Sequence, residues 1–512
     1  MLKDRTLYIR KINETFLQVV AEDAIVASLS DFFSFFVPNY RFMKKFKMHM
    51  WDGKIRLFNK NTGEIYVGLL QHIKEFAKQH EYDIIYENGI DLDVEEEFSV
   101  QEAFDFAKSL NIHVKRQENN KDIYIPINAH DYQLDAFRHA VQTSRSLLLS
   151  PTASGKSYFI YLLLRHYQPK IKGKILVIVP TVNLVMQMFT DFGEYSYADK
   201  WDIREQAHII YSGKEKNSDK QIIISTWESI YKLSKDYFNQ FEVVICDEAH
   251  LAKANSLTSI MNKCTKARYK FGTTGTLDGT KTHKLVLEGL FGRVYKVVST
   301  AELIDRGILS KMNIQCLMLY YSDEICKKMK KSEYQQEITF LVENEARNKF
   351  IRNLAVSLTG NTLVLFNLVE RHGKILYNLI KEKVGSNRKV FFISGKVEGE
   401  IREEFRQITE RESDAIIVAS YGTFSYGVNI RNLHNVIIAS PVKSIIRLLQ
   451  SIGRGLRKVD GKTLKFFDIS DILQYKSWKN HTMKHFMIRM DIYNKEKFNW
   501  KLFKIRLKDS SG

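Results

Sequence analysis

Residues 146–157 read SLLLSPTASGKS, and the architecture of the chain follows from them. A short apolar run, Ser146–Leu149, breaks into a turn of small residues, and an apolar helical segment starts at Ser157. A strand, a tight turn and a helix in that order present the turn's backbone amides at the positive end of the helix, where they wrap phosphates. Lys156 is placed to reach the β and γ phosphates of ATP, and Ser157 to bind Mg²⁺. Pro151, Thr152, Ala153, Ser154 and Gly155 make up the rest of the cradle. The general pattern begins with Gly where this chain has Ser150, so the strict motif fails by one residue.

Around this stretch, apolar runs alternate with helical segments. Ser146–Ser150, Ile175–Pro180, Ile222–Thr226, Val243–Asp247 and Lys270–Thr274 read as strands, with helices such as Ser157–Tyr167 and Leu184–Phe192 between them. That alternation predicts a parallel sheet wrapped by helices. It recurs at Thr362–Phe366, Val390–Ile393, Ala415–Ser420, Val436–Ala439 and Leu464–Phe467, which predicts a second α/β unit rather than one large sheet. The expected divisions are an N-terminal nucleic-acid-binding domain at 1–125, a first lobe at 126–308, a second at 309–475 and a basic helical extension at 476–512.

Asp247–His250 reads DEAH after the apolar run FEVVIC. A strand ending in Asp-Glu sets two carboxylates at the carboxyl edge of a parallel sheet, where ligands bind in such folds. Asp247 is expected to hold Mg²⁺ through water and Glu248 to polarise the attacking water. Upstream, Tyr132 and Gln133 precede the phosphate loop by one helix, and the Gln amide offers both a donor and an acceptor for the adenine edge. Thr181 and Thr226 stand at strand ends, where two readings remain open: a grip on a phosphodiester backbone, or ordinary capping. Thr274, Gly275 and Thr276 end another strand and are candidates to link the nucleotide site to the second lobe.

In the second unit, QSIGRGLR at Gln450–Arg457 puts Arg454 and Arg457 three residues apart on one helical face, with no acid in the segment to neutralise them. A γ-phosphate supplies the missing anion, which makes them candidate arginine fingers. ASYGTFSYGVNI at Ala419–Ile430 carries glycines and hydroxyls that allow close approach. Gly427 and Asn429 are candidates for the nucleotide sugar, and Thr423 for a nucleic-acid backbone.

The ordered set YQ, PTASGKS, VPT, DEAH, TGT, the Gly427 segment and QxxGRxxR, spread over residues 126–470, resembles a superfamily 2 helicase. The resemblance implies two RecA-like lobes that hydrolyse ATP to move on nucleic acid. Departures are Ser150 for Gly, TGT where many members have SAT, and Asn429 where an Asp is common.

The flanks narrow the family. Tyr40–Phe58 reads YRFMKKFKMHMWDGKIRLF, with Arg41, Lys44, Lys45, Lys47, Lys54 and Arg56 set against a single acid, Asp52, and interleaved with aromatics including Trp51. Such a composition grips phosphates and stacks on bases, although a solvated hairpin turning at Trp51-Asp52-Gly53 fits it too. This arm, joined to a DEAH motor, is similar to the UvsW-type recombination helicases of tailed phages. That resemblance implies a DNA partner, branched or forked by preference, with Holliday junctions, stalled forks and RNA–DNA hybrids among the substrates. An RNA helicase, or an annealing protein in which hydrolysis is secondary, is the alternative. The tail at 476–508 has ten Lys and Arg against Asp491 and Glu496, with interspersed aromatics. It reads either as a nucleic-acid grip or as a helix packing its aromatics on the second lobe.

Composition sets the outer limits. The 512 residues are too many for one ordinary core. A net charge of +18 favours a polyanionic partner. Four cysteines without paired spacing fit no zinc site and read as buried thiols in a reducing compartment. No apolar run is long enough for a membrane span or a signal peptide, so a cytoplasmic protein is expected; a monomer is expected separately.

Overall fold

A computed structural model describes residues 5–38, 40–87, 96–118, 121–151, 154–251, 254–275, 277, 281–309, 312–395, 407–408, 411–421, 432–442 and 463–508. The chain divides into two compact units, Met1–Val298 and Ser299–Gly512. Among the described residues, no helix is long and apolar enough to cross a membrane.

The first unit begins with a small α/β domain. Strands β1 (Thr6–Lys11) and β2 (Phe16–Val20) form a hairpin, β3 (Ser34–Phe36) and β4 (Lys54–Arg56) a separate antiparallel pair, and β5 (Glu64–Tyr66) and β6 (Asp83–Tyr86) complete a four-stranded sheet ordered β5-β2-β1-β6. The Asp23–Phe32 and Leu70–His80 helices pack Leu29 and Phe76 with Leu7, Ile9 and Leu17 into one core. A hairpin of β7 (His113–Glu118) and β8 (Lys121–Pro126) leads into the first lobe.

That lobe is a seven-stranded sheet of β9 (Arg145–Leu149), β10 (Lys174–Val179), β11 (Ala207–Ile210), β12 (Ile222–Thr226), β13 (Phe241–Cys246), β14 (Tyr269–Thr274) and β15 (Val294–Lys296), in the order β11-β12-β10-β13-β14-β9-β15. Every pairing is parallel. The central strands are continuous apolar runs because helices cover both faces, leaving no position for alternating polar residues. The N-terminal domain is fastened to the amino ends of β9 and β14. Arg145 donates to the Glu14 carbonyl at 2.5 Å, and buried Lys270 donates to Thr15 Oγ1 at 2.7 Å.

The second unit repeats the plan with β16 (Met312–Tyr320), β17 (Thr362–Phe366), β18 (Val390–Ile393), β19 (Ile416–Ser420), β20 (Asn435–Ile438), β21 (Leu464–Ile472) and β22 (Asn499–Arg506), ordered β18-β19-β17-β20-β21-β16-β22 and again parallel. Apolar clusters lie on both faces of this sheet.

The C-terminal extension corrects the helical expectation in its last stretch. It is helix over His481–Lys495, and then β22 joins the sheet edge beside β16. The reading in which its aromatics pack on the lobe holds for Phe486, Tyr493 and Phe498, which are buried in the core. Arg489, one of the ten basic residues of this stretch, is buried and forks onto Asp468 at 2.9 and 2.8 Å. Buried Glu337 accepts the His481 and Thr482 amides, each at 2.8 Å, and so caps the start of this helix.

Candidate active site

Strands β13, β14 and β9 are neighbours, so the segments leaving their carboxyl ends meet at one edge of the first sheet. From β9 comes the phosphate loop. Ser150 N donates to the Thr274 carbonyl at 2.8 Å, and the buried Ser150 and Ser154 hydroxyls lie 2.6 Å apart. Ser154 Oγ also donates to Pro151 O at 2.7 Å. The residue that departs from the strict motif therefore braces the turn from beneath, which a glycine could not do. Gly155 precedes the Lys156–Tyr167 helix with φ +76, a conformation that L side chains seldom adopt. A Cβ there would lie 2.3 Å from Gln133 Nε2.

From β13 come the two carboxylates, both buried. Lys156 Nζ lies 3.1 Å from Glu248 Oε1. Asp247 Oδ1 accepts the Glu248 amide at 2.9 Å and the Thr273 hydroxyl. Glu248 has φ +49, so the chain leaves the strand abruptly and the adjacent carboxylates take different partners. His250 Nδ1 sits 2.7 Å from Thr274 Oγ1 and 3.4 Å from Glu248 Oε2. Burial, and then the neighbouring Glu248 charge, push Asp247 above the usual carboxylate range, with Lys156 and the Thr273 hydroxyl pulling the other way. Ser157 Oγ lies 2.9 Å from Tyr195 Oη. Amides at a helix start, one lysine, a hydroxyl and two buried carboxylates form a donor set that suits phosphate oxygens and a hard divalent cation.

Gln133 is buried and turned to the loop itself: Nε2 donates to the Ser154 carbonyl at 2.9 Å, and Oε1 accepts the His130 amide at 2.9 Å. Tyr132, also buried, stacks on His130 with ring centroids 5.3 Å apart. Thr181 caps the Val182–Tyr195 helix by accepting from Leu184 N at 3.3 Å. Thr226 is buried, with its hydroxyl 2.8 Å from that of Ser229.

In the N-terminal domain, Arg41, Lys44, Lys45 and Lys47 are exposed. Arg56 is engaged by Asp52, whose carboxyl that contact holds down at about 2. Trp51 donates to the Lys54 carbonyl at 2.8 Å, and Lys54 lies over the Phe36 ring. The turn at Trp51-Asp52-Gly53 leads into β4, but a helical turn, Lys44–Lys47, precedes it instead of a strand. Lys47 N donates to the Met43 carbonyl and Met48 N to that of Lys44, each at 3.0 Å, and these bonds close the single turn. Thr152, Ala153, Thr276, Thr423, Gly427, Asn429, Arg454 and Arg457 lie outside the described residues.

Three residues of the site were not singled out from sequence. Thr273 lies one residue before the Thr274-Gly275-Thr276 signal. His250 stood within the quoted DEAH without a role. Tyr195 left no signal, since it reaches Ser157 from the far end of another helix.

Comparison with known proteins agrees with this architecture. Residues 10–87 match the family described as DNA helicase UvsW, N-terminal. Residues 126–279 match Type III restriction enzyme, res subunit, and residues 345–459 match Helicase conserved C-terminal domain. The chain is 34% identical over 505 residues to the ATP-dependent DNA helicase uvsW of Enterobacteria phage T4, covering 96% of this chain and 98% of that protein. The crystal structure of T4 UvsW superposes with a TM-score of 0.51 at 32% identity, over 99% of this chain and 100% of that one. A DNA 3'-5' translocase of Sulfurisphaera tokodaii is 24% identical over 369 residues, 66% of this chain and 80% of its own. With two RecA-like lobes and a UvsW-type N-terminal domain, the chain belongs to the UvsW family of ATP-dependent DNA helicases, enzymes that bind nucleic acid and hydrolyse ATP.

Proposed function

We propose that this helicase acts on branched DNA, migrating Holliday junctions, regressing forks and unwinding R-loops in phage-type recombination, repair and replication control. It works as a monomer in the host cytoplasm. The observation that carries the reading is an exposed cation cluster, Arg41, Lys44, Lys45 and Lys47, on a domain that precedes both lobes. A branch needs a second grip besides that of the motor, and this cluster supplies one.

In the chemistry we propose, the backbone amides that follow Pro151, through Ser157, cradle the triphosphate and Lys156 neutralises its outer charge. Ser157 and Asp247 would hold Mg²⁺, which would supply further neutralisation of the phosphate oxygens. Glu248 orients the attacking water and draws its proton. Arg454 and Arg457 stabilise the charge that develops on the transferred group. Tyr132 and Gln133 serve the base side, Gln133 by holding the Ser154 carbonyl and so the loop's shape, while Gly427 and Asn429 serve the sugar. Thr181, Thr226 and Thr423 line the path of the DNA backbone, with Trp51, Lys54 and Arg56 shaping the N-terminal grip. We divide these roles among domains at 1–125, 126–308, 309–475 and 476–512.

The test is a panel of ATPase and unwinding assays over forked, four-way, R-loop and linear substrates, with RNA of equal length. Preference for the branched DNAs is expected. Stimulation by RNA alone would instead support an RNA helicase.

A further inference from the structure

Residues 40–53, ahead of β4, form a compact knot. Tyr40 is its keystone: its ring stacks on Phe36 at 4.7 Å, meets Phe46 edge-on at 4.7 Å, and fills the space beside Gly53, where a Cβ would come within 2.2 Å of Tyr40 Cδ2. Met48 N donates to the Lys44 carbonyl at 3.0 Å and Met50 N to that of Lys45 at 3.0 Å, so the chain folds back on itself. Val37 N donates to the Gly53 carbonyl at 2.8 Å and closes the base.

From this braced scaffold, large apolar side chains stand in solvent: Phe42 is 78% exposed, Met50 70% and Met48 55%. Such exposure within a few residues is unusual for a surface with nothing to bind. Arg41, Lys44, Lys45 and Lys47 alternate with them, and residues 40–51 contain no acid. A ligand that matches needs flat apolar faces beside closely spaced negative charges, which are the bases and phosphates of nucleic acid. An intact duplex hides its base faces, whereas the step at which strands part offers them.

We propose that Phe42, Met48 and Met50 enter the base stack at a DNA branch point while Arg41, Lys44, Lys45 and Lys47 hold the flanking phosphates. The knot is then an unstacking wedge, an apolar insertion stabilised by backbone contacts. This deepens the branched-DNA reading and rests on it.

The test uses the full chain and a forked duplex carrying 2-aminopurine at the branch, measured without ATP and then in unwinding assays. Wild type is expected to raise the fluorescence severalfold. The triple variant Phe42→Ser, Met48→Ser, Met50→Ser is expected to bind within about threefold of wild type and keep DNA-stimulated ATPase, yet lose the fluorescence rise and unwind roughly tenfold more slowly. Lys44→Ala with Lys45→Ala and Lys47→Ala is expected to weaken fork binding and flatten its salt dependence. A full fluorescence rise in the triple apolar variant, with its ATPase intact, overturns the wedge alone. A triple variant that turns a dimeric wild type monomeric overturns it too, by assigning the tip to a contact between copies. If wild-type ATPase ignores DNA, the motor reading fails and takes the wedge with it.

Discussion

Lys156 Nζ and Glu248 Oε1 lie 3.1 Å apart, so the lysine of the phosphate loop is held by the carboxylate expected to act on water. A γ-phosphate must compete with Glu248 for that ammonium. Glu248→Gln removes the competitor along with the base. ATP turnover is expected to fall by about a hundredfold or more, while nucleotide affinity rises severalfold. Steady-state hydrolysis and a fluorescent-nucleotide titration check the two effects separately; weaker binding in the variant would contradict the pairing.

Gly155 cannot carry a side chain, because its φ is +76 and Gln133 Nε2 occupies the space. Gly155→Ala is expected to destabilise the loop by roughly 1–3 kcal/mol and to abolish nucleotide binding. Gln133→Ala should recover part of the stability in the double variant by opening that space. Thermal melts with and without ATP read both outcomes.

Arg489 and Asp468 are both buried and joined through two hydrogen bonds, with Tyr493 Oη donating to Asp468 Oδ2 at 2.9 Å. Removing the cation leaves a buried carboxylate without its counter-charge. Arg489→Ala is expected to cost about 3–5 kcal/mol, measured as a loss of denaturant stability in the second unit. Arg489→Met with Asp468→Leu should regain most of it.

His372 is buried between Ser440 and Asn348, and burial holds its imidazole down at about 3. Between that value and an ordinary histidine pKa of about 6.5, only the unfolded chain takes the proton. Its contribution is therefore intact above about pH 6.5 and is lost as the pH falls, by up to about 1.4 kcal/mol per pH unit. Urea melts at several pH values between 5 and 7.5 are expected to show a shallower acid decline for His372→Gln than for wild type.

Much of this was legible because the central strands are buried on both faces and read as unbroken apolar runs: Ile222–Thr226 and Thr362–Phe366 fall where the sequence predicts them. The strands that escaped notice include the edge strands β11, β15 and β22, where one side of each ladder ends and the composition turns mixed. Asn499–Arg506, NWKLFKIR, looks like a basic tail because its charges face solvent. Lys156, Asp247 and Glu248 were readable because phosphate chemistry constrains local spacing. The Gln133–Ser154, Thr273–Asp247 and Ser157–Tyr195 contacts depend on which elements become neighbours, and local spacing does not encode that.

The most direct measurement is ATP hydrolysis by the purified full chain, with and without forked DNA, comparing wild type with Lys156→Ala. We expect DNA-stimulated turnover in wild type, and turnover lower by about a hundredfold or more in the variant, with fork affinity changed by less than about twofold. Undiminished hydrolysis by Lys156→Ala would contradict the placement of the triphosphate at the edge of the first sheet.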